Sequence, residues 1–376
     1  AQPPIARKQF PIFHSPHFPK RTYQQTHSKM AAVVDTIKNT IAENFGGAGH
    51  NLASKDQQFA LSEVPDVSRK VAVVTGGTAG IGYACVRTLL ANNISKIFII
   101  SSNKASYDEA HKSILKDLGE AAARKITYLE CDMADWPAVA TTANKIADQT
   151  DRVDIMINDA GRGIMTYQLT DYGVDRHMAV NHFGHVILTS HLLPVLKSTA
   201  EKGNTVRLVG LGSNAHQGAP SDVKFANLEE LNQDLGPNGQ YGRSKLAVML
   251  YHKYLAKHLT SSHPQILSNS VHPGFVETKM SQDDIHEPYP VAGYAMSVGM
   301  KPVKKDQWEG ATSALYCATK TEKSGQYVCP PAIPEQGSKL AQDEDLGEAL
   351  MALTRKVVKE KMYSGSVQQG CPFEFY

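Results

Sequence analysis

The sequence of 376 residues has no apolar run near the roughly 18 residues that a membrane-spanning helix requires, so we expect no membrane span. Its five cysteines are widely spaced and form no C-x-x-C pair, which argues against a disulfide framework and a zinc site. The sequence also lacks an excess of one charge, because it contains 39 basic and 37 acidic residues. A net charge of +2 gives no reason to expect a nucleic-acid partner.

Residues 1–29 have basic side chains but lack aspartate and glutamate entirely. Their prolines forbid a continuous helix, so we predict a disordered basic leader instead of the amphipathic helix of a mitochondrial transit peptide. Residues 30–68 are predicted to form one amphipathic helix, at 31–45, and a polar connector. We expect the cytoplasm as the compartment, with the mitochondrion as the alternative that the basic leader suggests.

From residue 69 to residue 376 the pattern predicts a single domain in which short apolar strands alternate with helices. This repetition indicates an α/β Rossmann fold, a doubly wound parallel sheet of about seven strands with helices on both faces. We expect the strands at 71–75, 96–100, 126–130, 155–157, 205–211, 266–271 and 326–329. The main helices are expected at 80–92, 107–118, 137–149, 175–196, 241–259 and 309–318.

A glycine-rich turn follows the first strand and leads straight into the first helix, with glycines at Gly76, Gly80 and Gly82. Glycine lets the backbone approach a ligand, because no Cβ intrudes. The free N–H groups at a helix start attract an anion. The turn therefore predicts a site for the pyrophosphate of a dinucleotide.

The choice of dinucleotide depends on the residues after the second strand, Ser101-Ser102-Asn103-Lys104. An NAD site normally places an acidic residue here for the ribose hydroxyls, and the first one is Asp108. A hydroxyl group and a lysine suit a 2′-phosphate instead. We therefore expect NADP(H) over NAD(H), the alternative being that Lys104 is a solvated loop lysine.

Tyr241 and Lys245 are four residues apart, so on a helix they share a face. A nearby ammonium lowers a tyrosine pKa, which makes Tyr241 a candidate proton donor to a carbonyl group. Tyr316 and Lys320 have the same spacing. Position favours Tyr241, which we place at the start of the helix after the fifth strand. That strand ends near Ser213, at the sheet edge where ligands bind.

Asn181 falls inside the long predicted helix, where asparagine competes for backbone hydrogen bonds. A buried asparagine there would hold a water or kink the helix. The alternative is a partly exposed polar residue. Nearby His182 and His185 have a metal-like spacing but no evident third ligand, so we predict no metal.

Taken in order, the motifs resemble the short-chain dehydrogenase/reductase family over about residues 69–330. Within it they are most similar to the retinol-dehydrogenase-like and WW-domain-oxidoreductase-like branch, through residues 171–185 and the wide gap between Ser213 and Tyr241. The motifs that carry the family resemblance are Thr75-Gly76-x-x-x-Gly80-Ile81-Gly82, Asp132, Asn158-Asp159-Ala160-Gly161, Asn181, Ser213, Tyr241-x-x-x-Lys245 and Pro273-Gly274-x-x-x-Thr278.

The resemblance implies that Tyr241 is the general acid/base, with Lys245 binding the nicotinamide ribose and tuning it. It further implies that Ser213 positions the substrate carbonyl and that Asn181 holds a water in the proton relay. The implied cofactor contacts, in addition to Tyr241 and Lys245, are Thr75, Gly76, Thr78, Ala79, Gly80, Ile81, Gly82, Ser102, Asn103, Lys104, Asp132, Met133, Asn158, Ala160, Gly161, Pro273, Gly274, Val276 and Thr278.

Three residues depart from the family pattern. Asp159 replaces an asparagine, and Gly210 and Gly212 replace larger or hydroxylated residues. These departures, with the N-terminal extension, leave an alternative open, a non-catalytic NADPH-binding regulatory or scaffold protein. The leading hypothesis is an NADP-dependent carbonyl reductase or alcohol dehydrogenase for a small apolar substrate, with a lid at about 281–305.

Many relatives pair through two long helices, which correspond here to about residues 175–196 and 241–259. A homodimer is therefore one expectation for this chain. The N-terminal helix or the tail after Asp345 would be alternative covers for those helix faces, and the sequence does not choose between them.

Overall fold

The computed structural model describes residues 54, 58–274, 276 and 306–362. The basic leader, the N-terminal helix at 31–45, the lid at 281–305 and Thr278 lie outside the described residues. Within the described part, the last residues of the expected polar connector bury Phe59, Val64 and Val67.

An eight-stranded sheet forms the centre of the molecule, in the order β3-β2-β1-β4-β5-β6-β7-β8. The first seven strands are parallel and β8 is antiparallel to β7. The doubly wound Rossmann prediction is confirmed. The strands are β1 (Val71–Thr75), β2 (Lys96–Ser101), β3 (Ile126–Glu130), β4 (Ile155–Asn158), β5 (Val206–Leu211), β6 (Ile266–Val271), β7 (Tyr327–Cys329) and β8 (Ile333–Glu335).

The strand order reverses direction between β1 and β4, both of which pair in parallel. In open parallel sheets a ligand binds in the crevice that opens at such a point, beyond the carboxyl ends of the strands. The register pairs Thr75 with Asn158, so the glycine turn after β1 and the Asp159 loop after β4 begin side by side.

Among the described residues, seven long helices flank the sheet, and two of them contain π-helical segments. The Asn181 helix, α4, runs from 176 to 201 and is π-helical over Ala179–Gly184. The others are α1 (Gly80–Ala91), α2 (Lys104–Leu118), α3 (Trp136–Ala147), α5 (Gly236–Leu255, continued by π-helical Ala256–Thr260), α6 (Gln307–Thr319) and α7 (Glu344–Lys361). Short helical turns occur at Leu61–Glu63, Glu120–Ala123, Asn214–Gly218, Leu228–Leu231 and Leu340–Gln342.

Alternate residues of the strands enter two separate cores. Val73 of β1 packs in the core beneath α3, α4 and α5, whereas its neighbours Ala72 and Val74 pack in the core beneath α1 and α6. This alternation is the expected result of covering both faces of a parallel sheet. Because helices cover both faces of the sheet, a cleft forms between the loops at the carboxyl ends of the strands.

Helix α7 is an element that the sequence analysis did not predict. It packs along α5, where Arg355 donates to the Tyr254 hydroxyl at 3.1 Å and Lys257 pairs with Glu348 at 3.3 Å. The tail after Asp345 therefore covers part of the surface of α5, one of the two helices through which a homodimer was expected to form. Among the described residues, no helix is long and apolar enough to cross a membrane.

Candidate active site

The turn between β1 and α1 depends on its glycines. Gly76 and Gly80 have φ values of +69° and +55°, in the left-handed region that favours glycine. A Cβ on Gly82 would lie 2.5 Å from the Gly76 carbonyl oxygen and 2.6 Å from Asp159 Oδ2. The turn is thus packed too closely for a side chain at residue 82.

A cleft of about 440 Å³ opens at the carboxyl edge of the sheet, beyond the ends of the paired strands β1 and β4, where the strand order reverses. It brings together residues from the glycine turn, the ends of β2 and β3, the loop after β4, the end of β5, and α5. The predicted site residues that line it are Gly76, Thr78, Ala79, Gly80, Ile81, Ser102, Asp132, Met133, Ala160, Gly161, Tyr241, Lys245 and Pro273.

Other predicted site residues do not line this cleft but flank it. Thr75 and Asn158 are the buried last residues of β1 and β4, and Ser213 follows β5. Asn181 is buried in α4. Gly274 and Val276 follow β6, beyond Pro273, and Gly82 and Asn103 lie at or near the first turns of α1 and α2.

At the end of β2, hydroxyl groups line the cleft. Thr78 Oγ1 and Ser101 Oγ are 3.0 Å apart, and Ser102 also borders the cavity. Lys104 is not in the loop where the sequence analysis placed it, because α2 begins there and its ammonium bonds the Asp108 carboxylate. The helix begins early because Asn103 Oδ1 caps it, accepting from the backbone N–H of Ser106 at 2.9 Å.

At the end of β3, Asp132 Oδ2 accepts a hydrogen bond from an Arg176 amino group at 2.9 Å. Arg176 and Arg162 both line the cleft, and the sequence analysis identified neither. Asp175 fixes the start of α4 by accepting from the Met178 N–H at 2.9 Å, and Arg176 is the first residue of this helix. No local spacing signals that contact, because the partners are 44 residues apart.

Asn181 is buried, with 2% of its surface exposed, so the alternative of a partly exposed polar residue is wrong. Its Oδ1 accepts from the Arg162 N–H at 2.7 Å, while its Nδ2 donates to the Arg162 carbonyl at 3.0 Å and to Ser244 Oγ at 2.8 Å. The side chain therefore ties the loop after β4 to α5, and it does so from the π-helical segment of α4.

Tyr241 and Lys245 lie on one face of α5, as their spacing predicts, and both line the cleft. The helix begins five residues earlier than predicted, at Gly236, so Tyr241 lies in its second turn. The Lys245 ammonium is 5.6 Å from the Tyr241 ring centroid and donates to the Leu211 carbonyl at 2.6 Å. Burial lowers the pKa of Lys245 to about 8, and the nearby Asp159 carboxylate opposes this shift.

Ser213 lies in a corner held by two histidines. His216 Nδ1 donates to the Ser213 carbonyl at 2.6 Å, and its Nε2 accepts from the Ser338 N–H at 2.9 Å. His272 Nδ1 accepts from the Asn214 N–H at 3.3 Å. His216 therefore links the end of β5 to the segment that leads to α7, a contact across 122 residues that no local spacing signals.

Asp159 keeps a hydrogen-bonding role despite the departure from asparagine. Its Oδ2 accepts from the Gly82 N–H at 3.0 Å, which ties the loop after β4 to the start of α1. Desolvation raises the pKa of Asp159 to about 7, although Lys245 and the Gly82 N–H both favour the charged form. At residue 159 a carboxyl group therefore makes the hydrogen bond to the glycine turn.

Close packing explains why glycine occupies residues 210 and 212, just before Ser213. A Cβ on Gly210 would lie 2.1 Å from His252 Nε2, so the imidazole of α5 occupies the space of a side chain on β5. His252 Nδ1 is 2.9 Å from Ser268 Oγ on the neighbouring strand β6. A Cβ on Gly212 would lie 3.1 Å from the Val271 carbonyl oxygen. The strand end is packed by a neighbour at each position.

His182 and His185 have different partners. His182 Nε2 is 2.8 Å from Thr354 Oγ1 of α7, and His185 Nε2 is 2.9 Å from Thr75 Oγ1 of β1. Burial lowers the pKa values of His182 and His185 to about 3 and about 4, so both rings are neutral at pH 7. In the part of the chain that the structure describes, no cluster of three or more His, Cys, Asp or Glu side chains could hold a metal ion.

Substituting Gly82 with alanine is expected to weaken binding of a dinucleotide about tenfold or more. The added Cβ would push against the Gly76 carbonyl and the Asp159 carboxylate, and overpacking of this kind costs about 1–3 kcal/mol. NADPH fluorescence titration of the variant measures the change. Gly218→Ala is a control on the surface, because nothing lies within 4 Å of its Cβ position and its backbone is outside the left-handed region. Unchanged affinity in Gly82→Ala would contradict this interpretation of the turn.

Comparison with known proteins defines the class. Residues 70–221 match the family model described as short chain dehydrogenase. A protein of Neurospora crassa named as a mitochondrial oxidoreductase, bli-4, is 48% identical over 364 residues, 94% of this chain and 88% of that protein. The short chain dehydrogenase/reductase dpchH of Colletotrichum higginsianum is 30% identical over 81% of this chain and 78% of its own length. The chain belongs to the short-chain dehydrogenase/reductase family.

Other similar proteins extend the comparison. Polyprenol dehydrogenase of Homo sapiens is 29% identical over 68% of this chain and 74% of its own length. The Pseudomonas aeruginosa RhlG/NADP complex aligns with a TM-score of 0.52 at 22% identity, covering 70% of this chain and 94% of that one. The 3-ketoacyl-(acyl-carrier-protein) reductase of Brucella melitensis complexed with NADH has the same TM-score at 19% identity, covering 69% and 96%. These two structures share the fold.

Proposed function

We propose that this protein is an NADP-dependent oxidoreductase that transfers hydride between NADP(H) and the carbonyl or secondary alcohol of a small apolar substrate. One observation carries the proposal. The glycine turn and the Tyr241–Lys245 pair, which come from distant parts of the sequence, line the same cleft at the carboxyl edge of the sheet. A dinucleotide that extends from the turn toward α5 would bring its reactive ring next to Tyr241.

The described residues fit such a cofactor. The turn has no room for a Cβ at Gly82, and the backbone N–H groups of Ala79 to Ile81 at the start of α1 suit a pyrophosphate. Asp132, at the far side of the cleft, would face the adenine. Lys245 would bind the nicotinamide ribose, Pro273 would border the nicotinamide, and the predicted contacts at Gly274, Val276 and Thr278 would follow it along the chain.

In the reduction direction, Tyr241 would donate its phenolic proton to the carbonyl oxygen of the substrate. The Lys245 ammonium would favour the phenolate that remains, because an opposite charge stabilises the ionised form. The hydride would come from bound NADPH. Ser213 would hydrogen-bond the substrate oxygen, while Asn181 holds the loop after β4 against α5 through Arg162 and Ser244.

NADP(H) over NAD(H) is supported by the chemistry at the end of β2. Thr78, Ser101 and Ser102 offer hydroxyl groups to a 2′-phosphate, and no carboxylate lines this part of the cleft. Asp108, the first acidic residue after β2, is engaged by Lys104. The names of the similar structures include both NADP and NADH, so they support a nicotinamide cofactor without deciding which one.

An apolar substrate is supported by the lining of the cleft beside Tyr241. Met165, Val180 and Leu211 border the cavity near the loop after β4 and the end of β5. Polyprenol, in the name of one relative, is also an apolar alcohol. For the compartment, the acid-free basic leader and the mitochondrial name of the Neurospora crassa relative both support the mitochondrial alternative over the cytoplasm.

The non-catalytic alternative was based partly on three departures from the family pattern. Asp159, Gly210 and Gly212 each have a defined contact at the site, with Gly82, His252 and Val271 respectively. The candidate catalytic residues are all still present in the sequence, namely Tyr241, Lys245, Ser213 and Asn181. A scaffold protein would bind NADPH but reduce no carbonyl compound, which a substrate panel distinguishes.

Fluorescence titration with NADPH and NADH tests the cofactor choice. We expect NADPH to bind about tenfold more tightly than NADH, because a phosphate adds charge-assisted hydrogen bonds worth about 1.5–3 kcal/mol. The Ser102→Asp variant should lose this preference through repulsion of the 2′-phosphate. Ser113→Asp is the matched control, because it adds the same charge on the exposed face of α2, outside the cleft, and should keep the preference. Tighter binding of NADH to the unmodified protein would contradict the NADP assignment.

A further inference from the structure

Asp159 is the residue at this site whose chemistry the family resemblance does not explain. Its carboxyl group lies between the two glycines of the turn, with Oδ2 2.9 Å from the Cβ position of Gly76 and 2.6 Å from that of Gly82. It accepts the Gly82 N–H at 3.0 Å. An asparagine could accept the same hydrogen bond through its Oδ1, so the hydrogen bond alone gives no reason for a carboxylate.

The cleft supplies a partner for the charge. Lys245, on α5, lines the same cavity, and each of the two groups favours the charged form of the other. Among the described residues, Lys245 donates to the Leu211 carbonyl, a neutral group. A buried ammonium that meets only neutral acceptors loses its proton easily, and a nearby carboxylate prevents this.

The groups around the pair are neutral or directed elsewhere. Cys85 of α1 faces Asp159, and burial raises its thiol pKa well above the usual value. His185 of α4 faces Lys245 and stays neutral, because burial lowers its pKa to about 4. Arg162, next along the loop from Asp159, donates to the Thr166 carbonyl at 3.1 Å and to Gln168 Oε1 at 3.0 Å.

We propose that Asp159 is a positioning residue of this site, whose carboxylate both fixes the glycine turn and acts as the counter-ion that keeps Lys245 protonated. The counter-ion role does not depend on the proposed function. Only its consequence for catalysis does, because a protonated Lys245 would favour the Tyr241 phenolate. The site thereby keeps its lysine charged to a higher pH than an asparagine at residue 159 would allow.

The test is the titration midpoint of Lys245 in Asp159→Asn, which removes the charge but keeps an acceptor for Gly82. Trace acetic anhydride is added at a series of pH values, and acetylation of the Lys245 peptide is followed by mass spectrometry. We expect the midpoint to fall by about one pH unit, since an opposite charge nearby shifts a pKa by roughly 1–3 units. An unchanged midpoint would overturn the proposal.

A matched control uses the same substitution at another helix start. Asp135→Asn removes a carboxylate that caps α3 through the Ala138 N–H at 3.1 Å and does not line the cleft, so the Lys245 midpoint should not move. If Asp159→Asn fails to fold, Lys245→Met gives the reciprocal measurement. The ¹³C carboxyl resonance of Asp159 should then titrate about one pH unit higher than in the unmodified protein. An unmoved titration would count against the pair.

The acetylation experiment needs no substrate, so it separates the two proposals. A lower Lys245 midpoint in a protein that reduces no carbonyl compound would support the role of Asp159 and contradict the proposed function. Turnover with an unmoved midpoint would do the reverse. Where turnover is found, the alkaline limb of kcat/KM should move to lower pH in Asp159→Asn by the same amount as the midpoint.

Discussion

Replacing Tyr241 with phenylalanine is expected to lower kcat for carbonyl reduction by about 10²–10⁴-fold, the usual contribution of a general acid. The ring remains on α5 beside Lys245, 5.6 Å from its ammonium, but has no proton to donate. Binding of NADPH should change little, because the phosphate and adenine contacts proposed at the glycine turn and at Asp132 do not use the Tyr241 hydroxyl. Stopped-flow measurement of NADPH oxidation, with a parallel fluorescence titration, gives both quantities.

Tyr316→Phe is the matched control. Tyr316 has the same spacing to a lysine as Tyr241, but its ring packs edge-on against Phe59 with centroids 5.5 Å apart, and it does not line the cleft. This variant should keep its turnover. Full activity in Tyr241→Phe would contradict the assigned role, and equal losses in both variants would point to a general structural effect.

Replacing Asp154 with alanine is expected to lower the free energy of unfolding by about 3–5 kcal/mol, as for the loss of one partner of a buried ion pair. Asp154 is fully buried at the amino ends of β1 and β4, opposite the cleft. Its carboxylate accepts from Arg152 at 2.6 and 2.7 Å and from the Val71 N–H at 2.9 Å, and Lys70 lies 3.9 Å away. Urea unfolding followed by circular dichroism measures the loss.

Asp151→Ala provides the comparison for this stability prediction. Asp151 forms an ion pair with Lys202 at 2.9 Å, but its side chain is 88% exposed. Exposed pairs contribute little because water and salt screen them, so the unfolding midpoint should hardly move. Similar effects of the two substitutions would show that the buried network is not what joins β1 to β4.

Features governed by nearby residues were predicted well. The short apolar runs gave the first seven strands, and the glycine turn follows β1 because only glycine adopts the φ values of Gly76 and Gly80 without strain. The four-residue spacing correctly placed Tyr241 and Lys245 on one helix face. The strand order then explains why these distant segments share a cleft, since carboxyl ends of parallel strands meet at one edge.

Features that depend on long-range contacts were missed. Strand β8 has three residues, including Pro334, and forms only by pairing with β7. Arg176 meets Asp132 across 44 residues, and His216 meets Ser338 across 122.

Lys104 and Asp108 have a helical spacing that could have signalled their pairing, but the helix start at Asn103 was not recognised. Helix α7 had capping and amphipathic signals that were not recognised, so the residues after Asp345 were expected only as a tail.

Carbonyl reduction by this protein is tested by measuring oxidation of NADPH by the full chain with a panel of apolar ketones and aldehydes, followed by identification of the alcohol product. We expect turnover with at least one compound, stereospecific transfer of deuterium from labelled NADPH to the carbonyl carbon, and loss of both in Tyr241→Phe. Tight NADPH binding with no alcohol formed from any compound in the panel would contradict it.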